Sequence, residues 1–324
     1  MPVVIRVHQV GGPQVLTVED LPTGEPGPGE VLLRQRAAGV NFIDTYYRSG
    51  LYKAPSMPFI AGAEGAGDVL AVGPGVTTVK PGDRVAYSAS LGGYAAERLF
   101  PADRLVALPD AITYEQAASM MLKGMTAQYL LRRTFPVKPG HVVLVHAAAG
   151  GVGLILCQWA KALGATVIGT VGSSEKAELA KAHGADHVIN YRTENFTARV
   201  AEITDGAKCH VVYDGVGKDT FPGSLDCLRP LGMWVSFGNA SGAVEPFPIL
   251  MLAQKGSLFA TRPTLFNYIE KREDLVETAA DLFDVVSRGV VTVGINQRYP
   301  LTEARKAHED LESRATTGSS VLIP

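Results

Sequence analysis

Cysteine is scarce in this chain: three in 324 residues, at positions 157, 209 and 227. An odd, widely spaced set makes no disulfide framework and reads as a reduced, cytoplasmic protein. With no cysteine before position 157, the four clustered thiolates of a structural zinc site have no source in the first domain. Charge of one sign is also missing. Thirty Lys and Arg face 32 Asp and Glu, a net charge of −2, so no global attraction to nucleic acid or an anionic membrane is expected. No apolar run approaches the roughly 20 residues that span a bilayer. The opening MPVVIRVHQVGGP lacks the apolar core and cleavage pattern of a secretory signal. What remains is ordinary for a folded soluble protein, 46% apolar and 19% charged, in a chain long enough for two domains.

The first 120 or so residues read as β-rich. Val3 to Val7, Val31 to Arg36, Gly67 to Val72 and Arg84 to Ser88 are short β-branched runs separated by Pro/Gly clusters, the pattern of a small barrel or rolled sheet. Helical periods follow over Tyr114–Met121, with Thr113 as N-cap, and over Thr126–Arg132. From Val142 strands and helices alternate. Strands are expected at Val142–His146, Thr166–Val171, His187–Asn190, His210–Tyr213 and Met233–Phe237. Helices are expected at Val152–Leu163, Glu175–His183, Phe196–Thr204 and Thr220–Cys227. Repeated units of this kind imply an α/β class with a doubly wound parallel sheet, the Rossmann arrangement. A long helix over 268–288 follows, and the last strand, Ser320–Ile323, is expected to return to the first domain. The domains are accordingly 1–125 with 265–324, and 126–264.

The stretch Val142–Gly164 carries the chemistry. A β run meets a turn, Ala147-Ala148-Ala149-Gly150-Gly151-Val152-Gly153, and a helix follows without a break. That order brings backbone N–H groups and a helix N-terminus up to a dinucleotide pyrophosphate. The first glycine of G-x-G-x-x-G is absent and alanines occupy the tight turn. An NAD site places Asp or Glu after the second strand for the ribose 2′-hydroxyl. Here Gly172-Ser173-Ser174-Glu175-Lys176 offers hydroxyls and an ammonium, which suit the 2′-phosphate of NADPH. Glu175 is read as a first-turn acid favoured by the helix dipole. No metal is expected, because Ala63 and Asn41 stand where a ligand His or Cys would.

GVNFIDTYYRSGLY (39–52), GAEGAG (62–67), VKPGDRV (79–85), HAAAGGVG (146–153), WAKALGA (159–165) and SRATTGSSVLIP (313–324) together resemble the zinc-free, zeta-crystallin-like quinone oxidoreductase branch of the medium-chain dehydrogenase/reductase superfamily. The resemblance spans essentially the whole chain. It implies a GroES-like catalytic domain beside the Rossmann domain, NADPH dependence, a homodimer, and reduction of benzoquinones or naphthoquinones in the interdomain cleft. Asn41, Tyr46 and Tyr52 correspond to polar residues around quinone and nicotinamide. Thr126, Gly150, Gly151 and Val152 correspond to ribose and pyrophosphate contacts. Ser173, Lys176, Tyr191 and Arg314 correspond to the 2′-phosphate group, and Phe237, Gly238 and Arg262 to the segment flanking the nicotinamide.

Plainer roles stand beside these. Asn41 could satisfy a turn, the tyrosines could be half-buried packing, Arg314 could answer a helix dipole, and Asp44 and Glu64 could pair with nearby cations. His146 reads as a strand-end residue and Cys157 as core. Reduction of activated C=C bonds in enals, enones or enoyl thioesters is an alternative on the same scaffold. A weakly catalytic NADPH- or RNA-binding protein is another. Residues 255–263 read as an edge strand of the nucleotide sheet that would pair with a second copy.

Overall fold

The structure is a computed structural model and describes residues 1–89 and 91–324. The chain starts with β1 (Val3–Val7), whose Val4, Ile5 and Val7 are buried, and β2 (Leu16–Asp20) folds back on it. β3 (Glu30–Val40) is long and alternates buried with exposed residues until its last four, all of which are buried. Next come α1 (Phe42–Ser49), β4 (Phe59–Ile60), β5 (Glu64–Val72), β6 (Arg84–Ser88), β7 (Glu97–Pro101) and β8 (Val106–Ala107). α2 (Tyr114–Tyr129) runs without a break into a π-helical turn over Leu130–Thr134. The two helices expected here are therefore one. Thr113 does cap it, its hydroxyl accepting the Gln116 N–H at 3.2 Å.

The alternating region holds β9 (Val142–Val145), α3 (Gly151–Ala162), β10 (Thr166–Val171), α4 (Ser174–Ala182), β11 (His187–Asn190), α5 (Phe196–Ile203) and β12 (Cys209–Asp214). It continues with α6 (Gly223–Asp226), β13 (Leu228–Ser236), α7 (Leu250–Gln254), β14 (Phe259–Thr261) and α8 (Leu265–Tyr268). The chain closes with α9 (Arg272–Ser287), β15 (Ile295–Pro300), α10 (Ala304–Glu312) and β16 (Ser319–Ile323). The helix expected over Thr220–Cys227 shrinks to the single turn of α6.

The chain divides into two units. The first comprises Met1–Met125, Ile269–Ser287 and Val293–Pro324; the second comprises Thr126–Tyr268 and Arg288–Thr292. The later boundary thus falls after Tyr268, not at 264, and 288–292 returns to the second unit. Among the described residues of the first unit, one sheet is ordered β2-β1-β4 and a seven-stranded sheet runs β15-β16-β3-β5-β6-β8, with β7 also paired to β3. β16 lies antiparallel to β3, Val321 opposite Gly39, so the C-terminal strand does close the first domain. Among its described residues, apolar side chains pack around Ile5, Val40, Phe59 and Tyr94 and around Leu33, Val85, Tyr87 and Leu105.

In the second unit the described strands form a six-stranded sheet ordered β11-β10-β9-β12-β13-β14, all its pairings parallel. The order reverses at β9, and such a switch point is where open parallel sheets bind ligands, outside the carboxyl ends of the strands. Cys209 and Cys227, distant in sequence, meet here: the Cys209 N–H donates to the Cys227 carbonyl at 2.9 Å. All three cysteines are free and buried, and burial pushes the Cys157 and Cys209 thiols up to about 12. These thiols pack as apolar groups and are not nucleophiles.

Candidate active site

At the carboxyl end of β9 the chain turns sharply. Ala148 stands where the first glycine of G-x-G-x-x-G would, and the residue before it, Ala147, adopts φ 53°, the left-handed conformation that glycine ordinarily supplies. The Ala148 N–H bonds the Thr170 carbonyl at 3.0 Å, and its methyl packs where a Cβ on Gly169 would come within 2.7 Å. Gly150 is the N-cap of α3 and provides no side-chain cap. The first N–H groups of that helix therefore have no intrahelical acceptor and face outward. Gly153 is demanded by packing, since a Cβ there would meet the Ala147 carbonyl oxygen at 2.3 Å and the Ala148 carbonyl carbon at 2.8 Å. An unshielded, positively polarised helix N-terminus at a switch point fits a pyrophosphate.

Behind this turn His146 is buried. Its Nδ1 contacts the Thr170 hydroxyl at 2.9 Å and its Nε2 the Ser224 hydroxyl at 3.1 Å. Burial lowers its pKa, against the pull of Asp214, so the ring is neutral. Burial would raise Asp214, but His146, the Gly217 N–H and the Thr220 and Ser224 hydroxyls hold it below the usual carboxylate range. Asp214 also accepts the Trp234 Nε1–H at 3.1 Å. This network ties together the ends of β9, β10, β12 and β13, and His146 is a structural strand-end residue.

At the neighbouring end of β10, Ser173 caps α4 by accepting the Lys176 N–H at 3.3 Å. The Tyr191 hydroxyl lies against Gly172, where a Cβ would meet it at 2.6 Å. Ser173, Lys176 and Tyr191 are thus brought to one place at the ends of β10 and β11. Glu175 sits in the first turn of α4, its own backbone N–H and the Ser173 hydroxyl lowering its pKa. At the ends of β13 and β14, the Phe237 N–H bonds the Asp214 carbonyl at 2.8 Å, and a Cβ on Gly238 would strike the Gly215 carbonyl oxygen at 2.5 Å. Asn239, in the orientation that satisfies both ends of its amide, accepts from Arg262 Nη2 at 3.3 Å. Thr126 is buried on α2. Arg314 belongs to the first unit, beyond α10, with φ 61°.

The first unit gathers Asn41, Tyr46 and Tyr52 through α1, an element the sequence pattern did not disclose. Asn41 is its N-cap and donates its backbone N–H to Asp44 Oδ2 at 2.8 Å. Its side-chain amide donates to Glu64 Oε1 at 2.8 Å. Glu64 is fully buried and receives two further donors, Lys123 Nζ at 2.8 Å and the Leu122 N–H at 2.7 Å. Asp44 instead accepts the Tyr94 hydroxyl at 2.9 Å, and burial raises its pKa to about 7. The expectation of paired ions is right for Glu64; Asp44 meets a phenol and a backbone N–H where a cation had been expected. From Tyr94 the network continues to His308 Nε2 at 3.0 Å, from His308 Nδ1 to Arg48 at 3.2 Å, and from Arg48 to both Glu312 oxygens at 2.6 and 3.0 Å. Tyr46 is 8% exposed, edge-on to Tyr52 with centroids 5.2 Å apart, and Phe42 stands 6.4 Å away one turn earlier. Among the described residues no group of three or more His, Cys, Asp or Glu is placed to hold a metal ion.

Family models match both parts of the chain: the alcohol dehydrogenase GroES-like domain over residues 27–110, and the zinc-binding dehydrogenase domain over 151–284. A quinone oxidoreductase of Pseudomonas aeruginosa is 56% identical over 99% of both chains. The chain belongs to the quinone oxidoreductase family. A crystal structure of the Escherichia coli quinone oxidoreductase complexed with NADPH superposes with a TM-score of 0.98 at 52% identity, covering 99% of this chain and 100% of that one. A 2-haloacrylate reductase of Burkholderia sp is 48% identical over 98% of both chains.

Within this quinone oxidoreductase fold, Phe42, Asp44, Glu64, Tyr94, Lys123 and His308 form the surroundings of the expected site residues, and sequence reasoning named only two of them, as ions. The available signal was local: Phe42 and Tyr46 lie four apart, as on one helix face. Tyr94 and His308 gave none, because their contact joins residues 214 apart.

Proposed function

We propose that this protein reduces quinones with NADPH. The observation that carries the cofactor choice is the end of β10, where hydroxyls and an ammonium at Ser173, Lys176 and Tyr191 gather, and the carboxylate of Glu175 is engaged by the helix start. NADPH, when bound, supplies the reducing equivalents through its dihydronicotinamide. The chain's own part is to hold and orient. Backbone N–H groups at Gly151 and Val152 take the pyrophosphate, while Gly150, whose own N–H donates to the Ala147 carbonyl at 2.9 Å, shapes the turn beside it; Ser173, Lys176, Tyr191 and Arg314 take the 2′-phosphate. Thr126, Phe237, Gly238 and Arg262 frame the nicotinamide end.

Asn41 and Tyr46 orient the quinone and stabilise negative charge growing on its oxygen, with Tyr52 as a further aromatic wall. The Asn41 amide is well suited to this because Glu64 fixes its orientation by accepting one of its N–H bonds. Reduced quinone oxygens take protons from solvent, so no side chain acts as an obligatory acid. Asn41→Ala and Tyr46→Phe should lower quinone turnover while NADPH affinity stays near that of the wild type. Unchanged turnover in both variants refutes the assignment.

A second substrate class has a specific support: the 48% identical Burkholderia relative is named for reduction of a haloacrylate, an activated C=C bond. NADPH oxidation measured side by side with a naphthoquinone and an activated alkene decides between them. The protein is further proposed to be a cytoplasmic homodimer. β14 is the last strand of its sheet and Phe259 on it is 55% exposed, an edge that pairing with its twofold copy would cover. No helix of the described residues is long and apolar enough to cross a membrane. A monomeric mass by light scattering at micromolar concentration would refute the dimer.

A further inference from the structure

Asp44, Tyr94, His308 and Arg48 form a chain of polar side chains within the first unit, none of them more than 2% exposed. They come from α1, the segment before β7, and α10. Tyr94 is fixed by its backbone: its N–H bonds the Ala61 carbonyl at 2.8 Å and its carbonyl accepts the Ile5 N–H at 2.9 Å. Gly62 makes room for the ring, since a Cβ there would meet it at 2.3 Å. Arg48, at the far end, is held by both Glu312 oxygens and by the Gly11 carbonyl at 3.1 Å.

Every hydrogen bond in this chain points one way. Arg48 Nη1 and His308 Nδ1 are 3.2 Å apart, and a guanidinium only donates, so Nδ1 is the acceptor. Burial and then the Arg48 charge lower the His308 pKa to about 3, which keeps the ring neutral with its proton on Nε2. That N–H faces the Tyr94 oxygen at 3.0 Å. The Tyr94 hydroxyl, its pKa raised by burial, keeps its proton and donates it to Asp44 Oδ2 at 2.9 Å. Oδ2 also accepts the Asn41 N–H at 2.8 Å, whereas Oδ1 has no partner among the described residues. A proton taken up by Asp44 therefore goes to Oδ1 and leaves the chain intact. Reversing the chain would aim a His308 Nδ1–H at the Arg48 guanidinium, two donors face to face.

We infer that Arg48, His308 and Tyr94 are positioning residues for quinone reduction, a one-way hydrogen-bond chain that sets, through Asp44, where Asn41 stands. The inference rests on the reading of Asn41 as the group that orients the quinone. Asn41 is then fixed at two points, its backbone N–H by this chain and its side-chain amide by Glu64. Hydrogen bonds aligned in one direction polarise and strengthen one another. A displacement of about 1 Å at a reacting group is enough to slow a reaction severely, so the far end of the chain acts on turnover without touching substrate.

The test is steady-state kinetics with NADPH and a naphthoquinone. Tyr94→Phe and His308→Leu should each lower kcat about tenfold and leave the KM for NADPH near that of the wild type. His308→Gln should stay within about threefold of the wild type, because its amide donates from one end and accepts at the other, as the neutral ring does. Tyr94→Phe, which keeps the ring, carries the test if the leucine variant does not fold. Added to Asn41→Ala, Tyr94→Phe should cost nothing further, since both remove the same action. The inference is refuted if Tyr94→Phe turns over like the wild type, if His308→Gln is as slow as Tyr94→Phe, or if the two losses multiply. An impaired Asn41→Ala beside a fully active Tyr94→Phe overturns the chain alone; a fully active Asn41→Ala overturns the reading of Asn41 and the chain with it.

Discussion

In the second unit the pyrophosphate turn at the end of β9 offers backbone groups, and the side chains there are small: Ala147, Gly150, Gly151 and Gly153. In the first unit they are large side chains held by other buried side chains, Asn41 by Glu64 and Glu64 by Lys123. Under the proposed reading, the two materials suit two kinds of charge. A pyrophosphate carries fixed charge and is met by peptide N–H groups that neither titrate nor change rotamer. A quinone oxygen acquires charge only as the reaction proceeds, and a polar side chain must be waiting in position for it. The first arrangement fails by steric intrusion, the second by loss of a partner.

The largest expected effect tests the second kind. Lys123→Met leaves Glu64 buried without its cation, a change that costs about 3–5 kcal/mol; adding Glu64→Gln should recover part of the loss in urea denaturation. A cost below about 1 kcal/mol would mean that the buried pair does not hold the first unit's site. The matching test of the backbone site is Gly153→Ala, whose methyl has only carbonyl backbone to displace. Such overpacking costs about 1–3 kcal/mol, and NADPH affinity, read by fluorescence titration, should fall at least tenfold while Lys123→Met leaves it closer to normal.

A third test uses pH. Burial raises Asp44 to about 7 and lowers His308 to about 3. The folded state therefore holds an extra proton on Asp44 between the ordinary carboxylate pKa of 3.8 and about 7. That contribution is present at low pH and is lost as pH rises through about 7. His308 acts in the opposite sense: the unfolded chain binds the extra proton between about 3 and 6.5, so that contribution grows with pH across this window. The two oppose each other from about pH 4 to 6.5. Asp44→Asn leaves His308 alone, so stability should rise more steeply with pH over that window, by up to about 1.4 kcal/mol per pH unit. An unchanged slope breaks the assignment. The smallest effect belongs to Ser173→Ala, which removes the α4 cap at about 1 kcal/mol and should raise the KM for NADPH more than that for NADH. Equal changes in both would make Ser173 a cap alone.

The comparison also explains what could be read from residue order. The nucleotide unit was legible because its elements are local: β-branched runs of four to six residues, a glycine turn, then a helical period, repeated. Ser173, Lys176 and Gly172 are contiguous, so their gathering needed no knowledge of the fold. The first unit was legible mainly in its strands. α1 escaped because NFIDTYYRSG is short and its buried face is polar, with Asp44, Thr45 and Arg48 inward. The group around Asn41 is assembled across 23 residues to Glu64 and 59 more to Lys123, distances over which periodicity carries no information. Single helices were misjudged where tertiary packing overrode propensity, as at α6 and at the join between α2 and its π-helical turn.

Ala147 has one more consequence. An L-residue pays about 1–2 kcal/mol in the left-handed region where glycine is at ease. Glycine, however, would leave the turn free to sample many shapes before any nucleotide arrives, and ordering it would then count against affinity. With alanine the strain is already carried by the folded protein and the loop is stiff in advance. The methyl group thus works as a preset: it moves the entropic cost of shaping the phosphate turn from the moment of binding to the moment of folding.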